Sequence, residues 1–402
     1  MTLYMGIDVG KRKHTALVIN EHGQRVVKAF TFANDRTGIE QVLEQLRTLT
    51  EPVVVAMEAT GHYWLALFAQ LTHAGYHVHV FNPLQVHAYQ RSGIRQRKQD
   101  RIDAFWIADY LRIGGVGSHT DQLETHLQLR QLTRFRASLS DQIGDAKRRI
   151  LAVLDQVFPE YATLFSDVFV ATSRQLLAEA VLPQEFASFD LEELRQRLHT
   201  ASRGRFGADK AATLQATARA SIGVTFLVDA ARVQVSCLLE QIALLERQLA
   251  DLDAQIARLV AALPDQYLTT IPGVSTVTAA TILAEIGSVD RFDTLEQLVA
   301  YAGIDPSVYQ SGAFEADAAH MSKRGSPYLR RALWVATTAA RVHDPELRAY
   351  FAKRRAEGKA YGTVMGAICR KLLARIYAVL RDGRPYVIRV PAPSHPEPLD
   401  FS

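Results

Sequence analysis

Two cysteines, Cys237 and Cys369, are all that the 402 residues hold. That is too few for a disulfide framework, and a reducing compartment is expected. Long apolar runs are also missing. None approaches the ~20 residues that a membrane span needs, and the first residues enter a strand pattern without a signal-peptide stretch. These absences exclude a disulfide scaffold and an integral membrane protein, and they predict a soluble, cytoplasmic one. A large surplus of one charge is absent too. Lys and Arg number 46 against 42 Asp and Glu, a net charge of +4, so any basic character must be local. What is present suits real cores, with 48% hydrophobic and 22% charged residues. The length predicts two or three domains.

Residues 1–113 read as α/β. Apolar strand patterns lie at 4–9, 14–19, 24–32, 53–58 and 77–81. Tight polar turns, Gly10-Lys11-Arg12-Lys13 and Asn20-Glu21-His22-Gly23, join the first three into an antiparallel meander. Helical patterns lie at 38–49 and 63–74, and a last helix runs through Asp100 and Asp103 to Ile113. Meander, helix, strand, helix, strand, helix is the order of an RNase H-like domain. Gly114-Gly115-Val116-Gly117-Ser118 marks the first boundary.

Residues 114–264 form a helical region. Leu132, Phe135, Leu139, Ile143 and Ile150 make one apolar stripe. A second stripe, Leu238, Ile242, Leu245, Leu249, Leu252, Ile256, Leu259 and Leu263, alternates spacings of 4 and 3. It fits a coiled coil, against the first long helix or another subunit, as well as an amphipathic core helix. Pro264 stops it. Residues 160–225 are Arg- and Ala-rich and helical in pattern, with no assignable role. Residues 265–388 form a third, mainly helical unit. The Pro-rich tail, 389–402, is expected to be disordered.

Four carboxylates carry the chemistry. Asp8 follows the apolar run Leu3-Tyr4-Met5-Gly6-Ile7, and Glu58 closes Val53-Val54-Val55-Ala56-Met57. Asp100 and Asp103, three apart, share a helix face. Convergence of all four is costly unless cations sit among them, and two divalent metals suit phosphodiester chemistry. Taken singly, Asp8 also fits a cap or turn residue, and Asp100 and Asp103 fit solvated helix charges. Arg91, Arg95, Arg97, Lys98 and Arg101 crowd the flank, where they fit a phosphate backbone or an ordinary solvated face.

Two later segments stand out. Ile271-Pro272-Gly273-Val274 before a small-residue helix is similar to a helix-hairpin-helix turn, whose backbone N–H groups grip a phosphate. It fits equally a tight turn with close helix packing. Ser311-Gly312 falls in a loop-like stretch and is followed by Lys323, Arg324, Arg330 and Arg331. Such cations stabilise charge at an attacked phosphorus. Ser307, Ser322 and Ser326 compete with Ser311 for that role.

Together these motifs resemble the IS110-type (DEDD) transposases, the recombinases of insertion sequences. The N-terminal match is Met5-Gly6-Ile7-Asp8-Val9-Gly10-Lys11, Met57-Glu58-Ala59-Thr60-Gly61 and Lys98-Gln99-Asp100-Arg101-Ile102-Asp103-Ala104. The C-terminal match is Ile271-Pro272-Gly273-Val274, Ala284-Glu285-Ile286-Gly287, Ser311-Gly312, Ser322-Lys323-Arg324-Gly325 and Leu329-Arg330-Arg331. Gly10 stands where the family usually has Ser, Gln99 where it often has Thr, and residues 160–225 match less well.

The resemblance implies a RuvC-like domain, a long coiled coil and a mainly helical C-terminal transposase domain. It implies that Asp8, Glu58, Asp100 and Asp103 hold Mg²⁺, and that a serine, mapped to Ser311, forms a transient covalent link to DNA. It also implies a structured guide RNA, donor and target DNA, dimers and tetramers through the coiled coil, and a bacterial, nucleoid-associated location. Two rivals stand beside this reading: a Holliday-junction nuclease that uses metal-activated water, and a non-catalytic nucleic-acid-binding scaffold.

Overall fold

The computed structural model describes residues 1–81, 83–92, 100–115, 123–263, 267–305, 310–311, 314–315 and 321–388. The side chains of Leu84, Gln85, Ser92, Asp100, Arg101, Leu123, Gln310, Ser311, Phe314 and Glu315 lie outside the description.

The chain opens with strands β1 (Leu3–Val9), β2 (Lys13–Ile19) and β3 (Arg25–Ala33), then helix α1 (Arg36–Arg47) and strand β4 (Val53–Glu58). Helix α2 (Trp64–His73), strand β5 (His77–Phe81) and helices α3 (Pro83–Ser92) and α4 (Asp100–Arg112) follow. The sheet order is β3-β2-β1-β4-β5. β1, β2 and β3 are antiparallel neighbours, while β4 and β5 run parallel to β1. This is the expected RNase H-like arrangement. α3, between β5 and α4, was not anticipated.

Local chemistry accounts for the turns and ends. The Asn20 side-chain oxygen accepts from the N–H groups of His22 and Gln24, both at 3.0 Å, closing the β2–β3 turn. Asp35 caps α1 by accepting from Gly38 N–H at 2.9 Å, worth about 1 kcal/mol. β1 and β4 read as continuous apolar runs because both faces of the sheet are covered. One face packs Met5, Ile7, Val55 and Met57 with Leu67 and Phe68 of α2. The other packs Leu17 and Ile19 on Ala104 and Ala108 of α4.

The long helices α5 (Leu123–Val157) and α10 (Val228–Ala261) bracket α6 (Ala171–Glu179), α7 (Pro183–Ser188), α8 (Leu191–Ala201) and α9 (Ala208–Arg219). Residues Gln131–Leu259 form one compact unit, and Met1–Arg130 with Val260–Ser402 form another. In the first of these, Tyr161 meets Phe158, Phe165 and Phe186 in an aromatic core. Arg136 of α5 grips Asp253 of α10 with two bonds, 2.5 and 3.0 Å. Of the heptad residues, Ile242, Leu245, Leu252 and Ile256 are buried, and Leu238, Leu249, Leu259 and Leu263 are half-buried. Phe135, expected in the α5 stripe, is instead 56% exposed.

The C-terminal part holds α11 (Thr276–Ile286), α12 (Leu295–Ala302), the short strands β6 (Gln310–Ser311) and β7 (Phe314–Glu315), and α13 (Pro327–His343), α14 (Pro345–Ala356) and α15 (Tyr361–Asp382). Its core is continuous from Leu268 to Val379. At the start of α5, Leu127 packs on the N-terminal core and Arg130 donates to the Ala284 carbonyl at 2.9 Å. Among the described residues no helix is long and apolar enough to cross a membrane.

Candidate active site

Asp8 and Glu58 stand side by side. β1 and β4 run parallel with Ile7 beside Met57. The next rung is therefore Asp8 and Glu58, on strands about 4.8 Å apart. Alternation puts both on the face of Tyr4, Gly6 and Ala56. Tyr4 and Ala56 pack toward α4, so the carboxylates open on the α4 side, at the carboxyl ends of parallel strands where ligands collect in α/β sheets.

α4 crosses β1 at very short range. A Cβ on Gly6 would lie 2.1 Å from the Ala104 carbonyl oxygen and 2.5 Å from the Ala108 nitrogen. Only glycine on the strand, facing alanines on the helix, allows this approach. It brings Asp103, the residue before Ala104, to the end of β4. Burial holds the Glu58 carboxyl above the usual carboxylate range, and the charge of Asp103 pushes the same way. The Thr60 hydroxyl, which donates to Glu58 at 3.2 Å, and nearby His87 pull it back.

α3 supplies further groups. Gln90 Nε2 donates to Asp103 Oδ1 at 3.1 Å. The Tyr89 hydroxyl donates to Asp109 Oδ2 at 2.6 Å, and Asp109 also accepts from Arg112 at 2.7 Å, so α3 is pinned to α4. Sequence reasoning missed His87 and Gln90 because it passed from the last strand straight to Asp100. The available signal was Pro83 just after a strand end, a favoured first residue of a helix.

Two partly buried carboxylates in mutual repulsion are what a divalent cation relieves, so the donor set fits a metal. Asp100 is the first residue of α4, and its carboxylate lies outside the described side chains. Among the described residues no three His, Cys, Asp or Glu side chains come within reach of one ion. Arg91 is exposed at the end of α3. Arg95, Arg97 and Lys98 lie outside the described residues, as does the side chain of Arg101 in α4.

In the C-terminal part, Ser311 pairs with Phe314 and Gln310 with Glu315 in the two-rung hairpin β6–β7. Its neck is clamped. The N–H groups of Ser322, Lys323 and Ser326 donate to the carbonyls of Asp305, Gly303 and Tyr301 at 2.9, 3.1 and 3.0 Å. Lys323 takes a left-handed conformation, φ +53°. A Cβ on Gly325 would lie 1.7 Å from the Tyr301 carbonyl oxygen, so the two chains touch there.

Two competing serines are already engaged. The Ser322 hydroxyl donates to Asp305 at 2.5 Å, and Ser326 caps α13 while bonding the buried Glu285 at 2.7 Å. Ser307 lies outside the described residues. Lys323, Arg324 and Arg331 are exposed, whereas Arg330 is half-buried and donates to the Ala302 carbonyl at 3.3 Å. Gly273, φ +92°, has a packing reason: a Cβ there would lie 2.4 Å from the Ala340 nitrogen of α13.

The sequence matches known proteins. A DEDD transposase model of IS110 type matches residues 5–159, and a model described as transposase IS116/IS110/IS902 family matches 265–352. The chain is 34% identical to the 43.6 kDa protein of insertion element IS110 from Streptomyces coelicolor, over 31% of each chain. It is 24% identical to the pilin gene-inverting protein of Moraxella bovis, over 96% of this chain and 98% of that one. Among solved structures, Thermus thermophilus RuvC with a Holliday junction substrate aligns at 18% identity and a TM-score of 0.24, covering 29% of this chain and 99% of RuvC. Matched at both ends, and in order, by models of one type, the chain belongs to the IS116/IS110/IS902 family of transposases.

Proposed function

We propose that the protein recombines DNA at an insertion sequence, with Asp8, Glu58, Asp100 and Asp103 holding Mg²⁺ and Ser311 as nucleophile. The observation that carries this reading is the Glu58–Asp103 pair beside Asp8 at the carboxyl edge of the sheet. Bound there, divalent ions would stabilise the attacking and leaving oxygens. Glu58 and Asp103 bind, and Gln90 fixes the orientation of Asp103. Ser311 Oγ forms a bond to phosphorus as the bond from phosphorus to the leaving strand oxygen breaks. The strand leaves as a hydroxyl, and reversal by another strand end rejoins DNA without loss of bond energy to water.

Lys323, Arg324 and Arg331 neutralise charge at the attacked phosphate, and Arg330 braces the neck. Arg91, Arg95, Arg97, Lys98, Arg101 and the Gly273 turn hold nucleic-acid backbone. The Moraxella relative is named for inverting a pilin gene, and strand exchange of that kind is the reaction proposed here. A structured RNA from the element chooses donor and target, and copies of the chain assemble through the long helices as dimers and tetramers.

The test uses the DNA ends that flank the gene, the transcript of that flank, and Mg²⁺. Asp8→Asn and Asp103→Asn are each expected to lower strand exchange on the order of 10³-fold or more, since a catalytic metal contributes several kcal/mol. Their melting temperatures should match the wild type. Exchange at the normal rate by either variant would remove the acids from the reaction.

A further inference from the structure

The charge of this chain is concentrated. Residues 341–384 hold eleven Lys and Arg against four Asp and Glu, a surplus of seven in a protein whose whole net charge is +4. The rest of the chain is therefore slightly acidic. The four acids in this segment are engaged: Asp344 and Glu346 with Arg375, Glu357 with Arg354, and Asp382 with Arg381. Lys353, Arg355, Lys371 and Arg384 are exposed and form no ion pair among the described residues.

The fold brings Lys371 together with Arg354 on one side and Arg384 on the other. Lys371 of α15 sits 4.9 Å from the ring centre of Tyr350 in α14, and Arg354 sits 5.4 Å from the same ring. Two cations are thus drawn from two helices onto one side chain. Lys371 also lines an open cavity of about 640 Å³, whose wall holds Arg375 and Arg384 together with the ion-paired acids Glu346 and Asp382. Arg375, 12% exposed and bonded to two acids, is committed to the fold. Lys371 and Arg384 are not.

Like charges held together at a surface repel each other, and screening by a polyanion removes that cost. We propose that the α14–α15 face is a nucleic-acid backbone site in addition to the acidic centre and the serine hairpin. The expected ligand chemistry is the phosphodiester chain of DNA or RNA. The face reads no sequence, because phosphate contacts position without specifying. Only the identity of the polyanion rests on the recombinase reading.

The experiment measures binding of the full chain to a fluorescent 40-base-pair duplex and to a structured RNA hairpin, in chelator and at several salt concentrations. Without metal there is no cleavage, so failure of the proposed chemistry leaves this readout unchanged. Lys353→Gln/Arg355→Gln/Lys371→Gln is compared with Lys28→Gln/Arg36→Gln/Arg47→Gln, which removes the same charge from exposed positions of the N-terminal domain. Each lost phosphate contact lowers the slope of log K against log salt by about 0.9 on duplex DNA. The α14–α15 variant is expected to lose about 2 to 3 from that slope and to bind at least about tenfold more weakly at 0.1 M salt. The control should match the wild type.

A loss on duplex alone assigns the face to DNA, and a loss on the hairpin alone assigns it to RNA. Slopes and affinities equal to the control on both probes would overturn the proposal. Should the triple variant fail to fold, Arg355→Gln and Arg384→Gln, tested singly, are each expected to lower the slope by about 1. Two unchanged slopes would overturn it equally.

Discussion

Asp8, Glu58 and Asp103 stand on a five-stranded sheet and a helix pressed against it, whereas Ser311 stands on a hairpin of two-residue strands rooted in a clamped neck. In the first region, precision comes from packing. Gly6 against Ala104 sets the height of α4, and strand register sets Asp8 beside Glu58. In the second, the described base is held by three backbone bonds and the contact of Gly325 with Tyr301. An acidic centre fixed by packing and a serine carried on a separate short hairpin suit the proposed reaction, in which one set of groups holds phosphate while the serine attacks it.

Disturbing each region at its glycine separates the two designs. Gly6→Ala drives a methyl group into helix backbone and is expected to cost about 1–3 kcal/mol, lowering the melting temperature and abolishing cleavage. Gly325→Ala strikes the neck instead. Its expected signature in hydrogen exchange is lost protection at 301–305 with the sheet unchanged. Loss of sheet protection in Gly325→Ala would mean that the two regions are not built independently.

A smaller effect is expected at Gln90. Removing a hydrogen bond that orients a metal ligand commonly weakens metal binding 10- to 100-fold. Gln90→Ala should therefore require about tenfold more Mg²⁺ for half-maximal cleavage and bind metal correspondingly more weakly in calorimetry. Equal metal affinity in variant and wild type would leave Gln90 a packing residue only.

The smallest expected change concerns the helical unit. Leu238 and Leu249 are half-buried in the single chain, unlike Leu245 and Leu252. Leu238→Glu/Leu249→Glu should lower the mass seen by light scattering while shifting the melting temperature little. Unchanged mass would confine the stripe to one chain.

The N-terminal domain was legible because its signals are short-range. Strands buried on both faces make unmistakable apolar runs, and the observed strands match the expected ones within a residue or so at each end. The heptad was legible as a helix, but its spacing did not show which residues the chain itself covers. Val235, Leu239 and Val260 are buried beside Ile242, Leu245, Leu252 and Ile256, so the covered stripe follows the 3.6-residue turn rather than a strict heptad. Residues 160–225 read as helical, as α6 to α9 are, but their core was not legible because it is an aromatic cluster drawn from a turn, a bend and helix ends. Phe158, Tyr161, Phe165 and Phe186 meet without a common period. Gln90 and His87 were invisible for a related reason: their partners, Asp103 and Glu58, are distant in sequence and are met only once α3 docks.

The central claim is that the acidic centre and the serine act in one reaction. The most direct measurement is a denaturing gel of end-labelled element DNA incubated with Mg²⁺, the flanking transcript and protein, with any shifted band mapped by peptide sequencing. Wild type should give a protein–DNA adduct at Ser311, and both Ser311→Ala and Asp103→Asn should give none while binding DNA normally. Clean cleavage by the wild type with no adduct at any time, or an adduct that persists in Asp103→Asn, would contradict the account.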